Sequence, residues 1–213
     1  GFALPQVSKR RLRPVFEPLI NGTLMRSELL VTPFIAPFAV EVVRAAVRKS
    51  MTGASPGPSG WTEELLFDAM EDPDAASELC SVITHIANGM VSEPLRHRLT
   101  TCWLVAVDKP CGGVRPVAIG EVFLKVASTV AVNAGMDRLN AFFGDMQYGI
   151  GRPRGAEEIV HRCRAFVQAP DAPKKCVVCL DFRNAFNMPL REHIWSVVKR
   201  FPLLTGIFAL EYA

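Results

Sequence analysis

The chain has 213 residues, 49% of them hydrophobic and 21% charged, which excludes a disordered polypeptide and leaves room for one large domain or two small ones. Its 24 basic and 21 acidic residues give a net charge of +3, too small an excess to argue for nucleic acid by itself. No apolar run approaches the roughly 18 residues that would span a bilayer, so no membrane partner is expected.

Basic side chains cluster locally, at 9–13, 96–98 and 152–164. Residues 1–33 are mixed and read as a linker. Apolar residues at helical spacing predict a helix over 36–49, and MTGASPGPSG (51–60), with three glycines and two prolines, ends it in a loop. Thr62 is placed to cap a helix opening TEELL, with Glu63 and Glu64 near its positive end. Asp72-Pro73 is a cap followed by a proline suited to the first helical turn, and Asn88-Gly89 marks the stop of that amphipathic helix. The short basic segment PLRHRL (94–99) comes next.

TCWLVAVDK (101–109) and VRPVAIG (114–120) read as two strands joined by PCGG, a β-hairpin. Residues 121–143 predict a helix, bent near Asn133-Ala134-Gly135. QYGIGRPRG (147–155) is a Gly/Arg loop, 156–168 another helix, CVVCL (176–180) a strand, and 189–200 a helix entered at Pro189. Six scattered cysteines without a secretory signal predict a reduced, intracellular protein. Cys176 and Cys179 form a CxxC without the second pair a zinc knuckle requires, and they read as small buried hydrophobes. The glycine loop fails as a dinucleotide fingerprint because Arg154 stands at the third glycine position. The histidines are separated, and GPSG lacks the alternate-position glycines of a nucleophile elbow.

Asp181 closes the apolar segment CVVCL. A carboxylate at the end of a buried strand needs solvent, a basic partner or a metal ion. Alone it also suits a helix cap or turn.

Four features occur in one order: GPSGW (57–61), KPCGGVRPV (109–117), QYGIGRPRG (147–155) and LDFRNAFN (180–187). As an ordered set, over roughly residues 53–200, they resemble a reverse transcriptase of the non-LTR retrotransposon type. The resemblance implies an α/β (α+β) chain carrying the fingers and partial palm of a right-hand polymerase: an N-terminal extension or linker with a helix at 1–52, fingers at 53–173, and a partial palm, with its first strand, at 174–213. It implies Asp181 as the catalytic, metal-binding carboxylate and the Phe182 main-chain carbonyl as a second contact to Mg²⁺ or Mn²⁺. Lys109, Arg115, Asn184, Ala185 and Phe186 would surround the incoming deoxynucleoside triphosphate, with Phe186 excluding a 2′-hydroxyl. Gln147, Gly149 and Arg152, with Gly151 and Arg154, would lie against an RNA template and DNA primer. The Tyr/Phe-x-Asp-Asp turn of the family does not occur. The expectation is therefore a fragment, inactive alone, whose partner is the remaining palm and thumb of a parent polypeptide, nuclear in a eukaryotic host. The competing reading is a non-catalytic, nucleic-acid-binding remnant of a retroelement.

Overall fold

A computed structural model describes residues 35–51, 53–110, 112–170, 175–182 and 188–212. Helix α1 is Val40–Ser50, α2 Glu63–Ala69, α3 Pro73–Ala87 and α4 Glu93–Thr100. Strands β1 (Trp103–Asp108) and β2 (Val114–Ile119) follow, then α5 (Val122–Phe143), a single 3₁₀ turn at Gly144–Met146, α6 (Gly155–Gln168), α7 (Arg191–Val198) and α8 (Pro202–Tyr212).

The expected caps are in place. The Thr62 hydroxyl accepts from Leu65 N–H at 3.3 Å, and Asp72 Oδ1 accepts from Asp74 N–H and Ala75 N–H at 3.0 and 2.8 Å. These bonds satisfy amides that the first turn leaves without intrahelical partners. Asn133-Ala134-Gly135 lies inside the continuous α5, where Gly135 is buried. Two helices were not legible beforehand. Helix α4 was read only as a basic segment, and α8 is apolar nearly all round, so periodicity gave it no signature.

The core is helical. Val43 and Val47 of α1, Ile83 and Ile86 of α3, Val126 and Val130 of α5, and Leu210 of α8 are essentially inaccessible to solvent. They belong to one hydrophobic cluster with Leu66 and Met70. Two polar devices set the packing. Asn88, buried at the end of α3, accepts from Ile35 N–H at 2.5 Å and donates to the Ile35 and Thr84 carbonyls at 3.1 and 2.9 Å. It pins the chain entering α1 onto α3. The other is a close backbone crossing: a Cβ on Gly206 of α8 would collide with the Ala87 carbonyl and lie 2.5 Å from Asn88 C.

Strands β1 and β2 pair antiparallel, from Trp103 opposite Ile119 to Asp108 opposite Val114. Gly112 and Gly113 take φ of 86° and 90° in the turn, a left-handed backbone that side chains disfavour. Trp103, Leu104, Val107 and Val117 remain exposed, so the hairpin stands clear of the helical body on both faces.

The expected palm strand is not formed. Residues 175–182 belong to no helix or strand. Val178, Leu180 and Phe182 are 72%, 78% and 72% exposed, and Cys176 and Cys179 are exposed rather than buried. The physical reason is partnership. Among the described residues the only two strands pair with each other, and a β segment without a neighbour leaves a whole ladder of hydrogen bonds unmade.

Candidate nucleotide and nucleic-acid site

The hairpin brings two of the expected residues together. Arg115 is exposed on β2, opposite Val107. Lys109 follows β1 directly; its N–H donates to Gly113 O at 3.0 Å, and its carbonyl accepts from Gly112 N–H at 3.0 Å. Continuing the strand alternation places Lys109 and Arg115 on the same face of the hairpin tip. Two cations flanking a glycine turn can approach a polyphosphate closely: the guanidinium as a planar fork, the ammonium as a mobile point charge.

The Gly/Arg loop is ordered by its own side chains. Gln147 Oε1 accepts from Gly149 N–H and, at 3.0 Å, from Ile150 N–H, while its Nε2 donates to Ile150 O at 3.1 Å. Its amide is therefore a loop brace. Arg152 is engaged too: it pairs with Glu158 at 2.8 Å and Asp145 at 3.2 Å, and its guanidinium lies 4.3 Å from the centre of the Tyr148 ring. Desolvation pulls its basicity down, and the hydrogen bonds and charges of Asp145 and Glu158 outweigh that and raise it. Gly149 is exposed. Gly155 packs so tightly that a Cβ there would collide with the Tyr148 carbonyl. Arg154 adopts a left-handed backbone (φ 58°) at the cap of α6 and is exposed. The loop and the end of α5 enclose a cleft of about 430 Å³, lined by Asn140, Asp145, Gln147 and Arg152 among others. Of the two loop arginines, Arg154 has no ion-pair partner among the described residues.

Asp181 and Phe182 are exposed at the end of the segment 175–182. Asn184, Ala185 and Phe186 lie outside the described residues. Among those described, no cluster of three or more His, Cys, Asp or Glu side chains could hold a metal ion. A divalent cation of the Mg²⁺ type needs hard oxygen ligands in number, and one exposed carboxylate does not make that set.

Sequence reasoning missed the clasp at the hairpin root. Glu121, buried, accepts from Ser59 N–H at 2.7 Å and from Ser59 Oγ–H at 2.5 Å. Lys125, one turn along α5, pairs with buried Glu63. The spacing of Glu121 and Lys125 against Ser59 and Glu63 was visible, but nothing in it said that the two segments meet.

No family model matches the chain, and no solved structure matches it. Over 160 residues, 75% of its length, it is 34% identical to the 132 kDa protein of the retrotransposable element SLACS of Trypanosoma brucei gambiense. It spans 13% of that protein. The chain is homologous to part of a retrotransposon protein. No described helix is long and apolar enough to cross a membrane.

Proposed function

We propose that this chain forms the fingers and the beginning of the palm of an RNA-directed DNA polymerase of a retrotransposon. The observation that carries the reading is the β-hairpin, free of the helical body, with Lys109 and Arg115 beside a two-glycine turn. The 34% identity to a retrotransposon protein supports it, as does the order of the four sequence features around it.

In this reading the hairpin tip binds the triphosphate of an incoming deoxynucleotide. Arg115 takes phosphate oxygens in a forked contact, and Lys109 neutralises charge beside it. The Gly/Arg loop faces the primer–template backbone, with Arg154 as the cation that has no ion-pair partner among the described residues and Gln147 and Arg152 holding the loop's shape. Asp181 and the Phe182 carbonyl contribute one part of a Mg²⁺ or Mn²⁺ site. One carboxylate does not complete it. Asn184 and Ala185 would offer amides to the triphosphate, and Phe186 would stand under the sugar.

Titration of the chain with a deoxynucleoside triphosphate tests the hairpin assignment. Replacing Arg115 by Ala removes a charge-assisted contact and is expected to weaken binding about 10-fold, with Lys109→Ala weaker in effect. Equal affinity in wild type and the double variant would refute it.

A non-catalytic nucleic-acid-binding remnant is the second reading, favoured by an exposed Asp181 that joins no cluster of three possible metal ligands among the described residues. It predicts salt-dependent RNA binding with no triphosphate binding at the hairpin.

A further inference from the structure

We propose that Glu121 is a positioning residue: by clasping Ser59 it holds the 57–60 loop against Gly120, the link between β2 and α5, and so restricts the angle of the β-hairpin against the helical body. Its consequence for nucleotide binding rests on the reading of the hairpin given above.

The hairpin needs such a device. Its two faces expose Trp103, Leu104, Val107 and Val117, so little packing holds it in place. On its exit side a single residue, Gly120, separates the end of β2 at Ile119 from Glu121, the cap position of α5. A Cβ on Gly120 would meet nothing within 4 Å. On the entry side only Thr101 and Cys102 separate α4 from β1. Two stiff elements joined by so short and unhindered a link would pivot about a few dihedral angles.

The GPSG loop closes that pivot. Glu121 stands at the cap of α5, yet its carboxylate makes no capping hydrogen bond to its own helix. Both oxygens turn outward instead, one to Ser59 N–H and one to Ser59 Oγ–H. The group is 6% exposed, so water does little to replace those bonds. Beside it, Gly57 backs directly onto the pivot: a Cβ there would lie 2.5 Å from Gly120 O and 3.1 Å from Glu121 Cα. Two further contacts run along the same seam. Trp61 meets Phe123 edge to face, with ring centres 5.5 Å apart, and Lys125 pairs with Glu63. Segment 57–63 is thereby laid along the first turn of α5, with Gly57 against the pivot itself and the Glu121–Ser59 clasp beside it.

Residual dipolar couplings of backbone amides, measured on the full chain, report the relative orientation of hairpin and helices directly. In the wild type, couplings from β1, β2, α3 and α5 are expected to fit one alignment. In Glu121→Ala the hairpin couplings shrink toward those of a mobile segment, while α3 and α5 keep theirs. Glu121→Gln, which retains an acceptor oxygen for Ser59 N–H, restores them. Ser59→Ala, a change at an exposed loop residue, weakens the hairpin couplings in the same sense and serves where Glu121→Ala does not fold. Gly57→Ala leaves the hairpin ordered at a changed orientation. Unchanged hairpin couplings in a folded Glu121→Ala or Ser59→Ala variant overturn the proposal. Adding dATP to the same samples separates the two claims. A wild type whose hairpin amides do not respond to dATP refutes the nucleotide reading, while the couplings still decide the clasp.

Discussion

Single atoms decide the packing at two places in the helical body. Gly206 of α8 rests on the Ala87 carbonyl and the Asn88 backbone. A methyl group there forces backbone apart from backbone, so Gly206→Ala is expected to cost about 2–3 kcal/mol in urea unfolding. Asn88 closes three hydrogen bonds in a buried setting. Asn88→Ala removes the side-chain partners of the Ile35 N–H and carbonyl, while the Thr84 carbonyl keeps its bond from the backbone N–H of residue 88, and a loss of about 1–3 kcal/mol is expected. A midpoint unchanged in either variant would contradict the packing described. The same residue-level view separates the loop arginines. Arg152 is held by two carboxylates and an aromatic ring, whereas Arg154 is exposed. Arg154→Ala is expected to reduce the slope of log affinity against log salt for an RNA–DNA hybrid by about 1 without changing the melting temperature. Arg152→Ala should lower the melting temperature. Reversed behaviour would exchange their roles.

At the scale of elements, the hairpin and the caps were legible in the sequence because their signals are local. Thr62, Asp72 and the Gly112-Gly113 pair act within a few residues of themselves. Helix α8 was not legible, since a helix buried on most sides carries no polar stripe. The segment CVVCL shows the opposite failure. Its β-branched, apolar character encodes a strand, but a strand is a property of two segments, and no neighbour pairs with this one among the described residues. Its amides are accordingly expected to exchange with solvent far faster than those of β1 and β2. Hydrogen exchange across 176–182 as slow as in the hairpin would show that it pairs after all. The Glu121–Ser59 clasp was hidden for a related reason: its partners lie 62 residues apart, and neither GPSG nor EVFLK names the other.

The described residues form a helical body that carries a basic hairpin tip and a Gly/Arg loop, and Asp181 is exposed in the segment 175–182. Such a body can present charge to phosphates. Among the described residues no cluster of three or more His, Cys, Asp or Glu side chains could hold a metal ion. The ordered motifs that suggested polymerase chemistry agree with the identity to a retrotransposon protein, while Asp181 joins no cluster of three possible metal ligands among the described residues. The central claim is that Asp181 serves nucleotide addition in a polymerase to which this chain contributes. Primer extension on an RNA template tests it, using a polypeptide in which this chain continues into a segment with a Tyr/Phe-x-Asp-Asp turn. Wild type should extend the DNA primer in Mg²⁺, and Asp181→Ala should abolish synthesis while primer–template affinity stays within about 2-fold, since the carboxylate adds no favourable phosphate contact. Extension by Asp181→Ala at the wild-type rate would contradict the account.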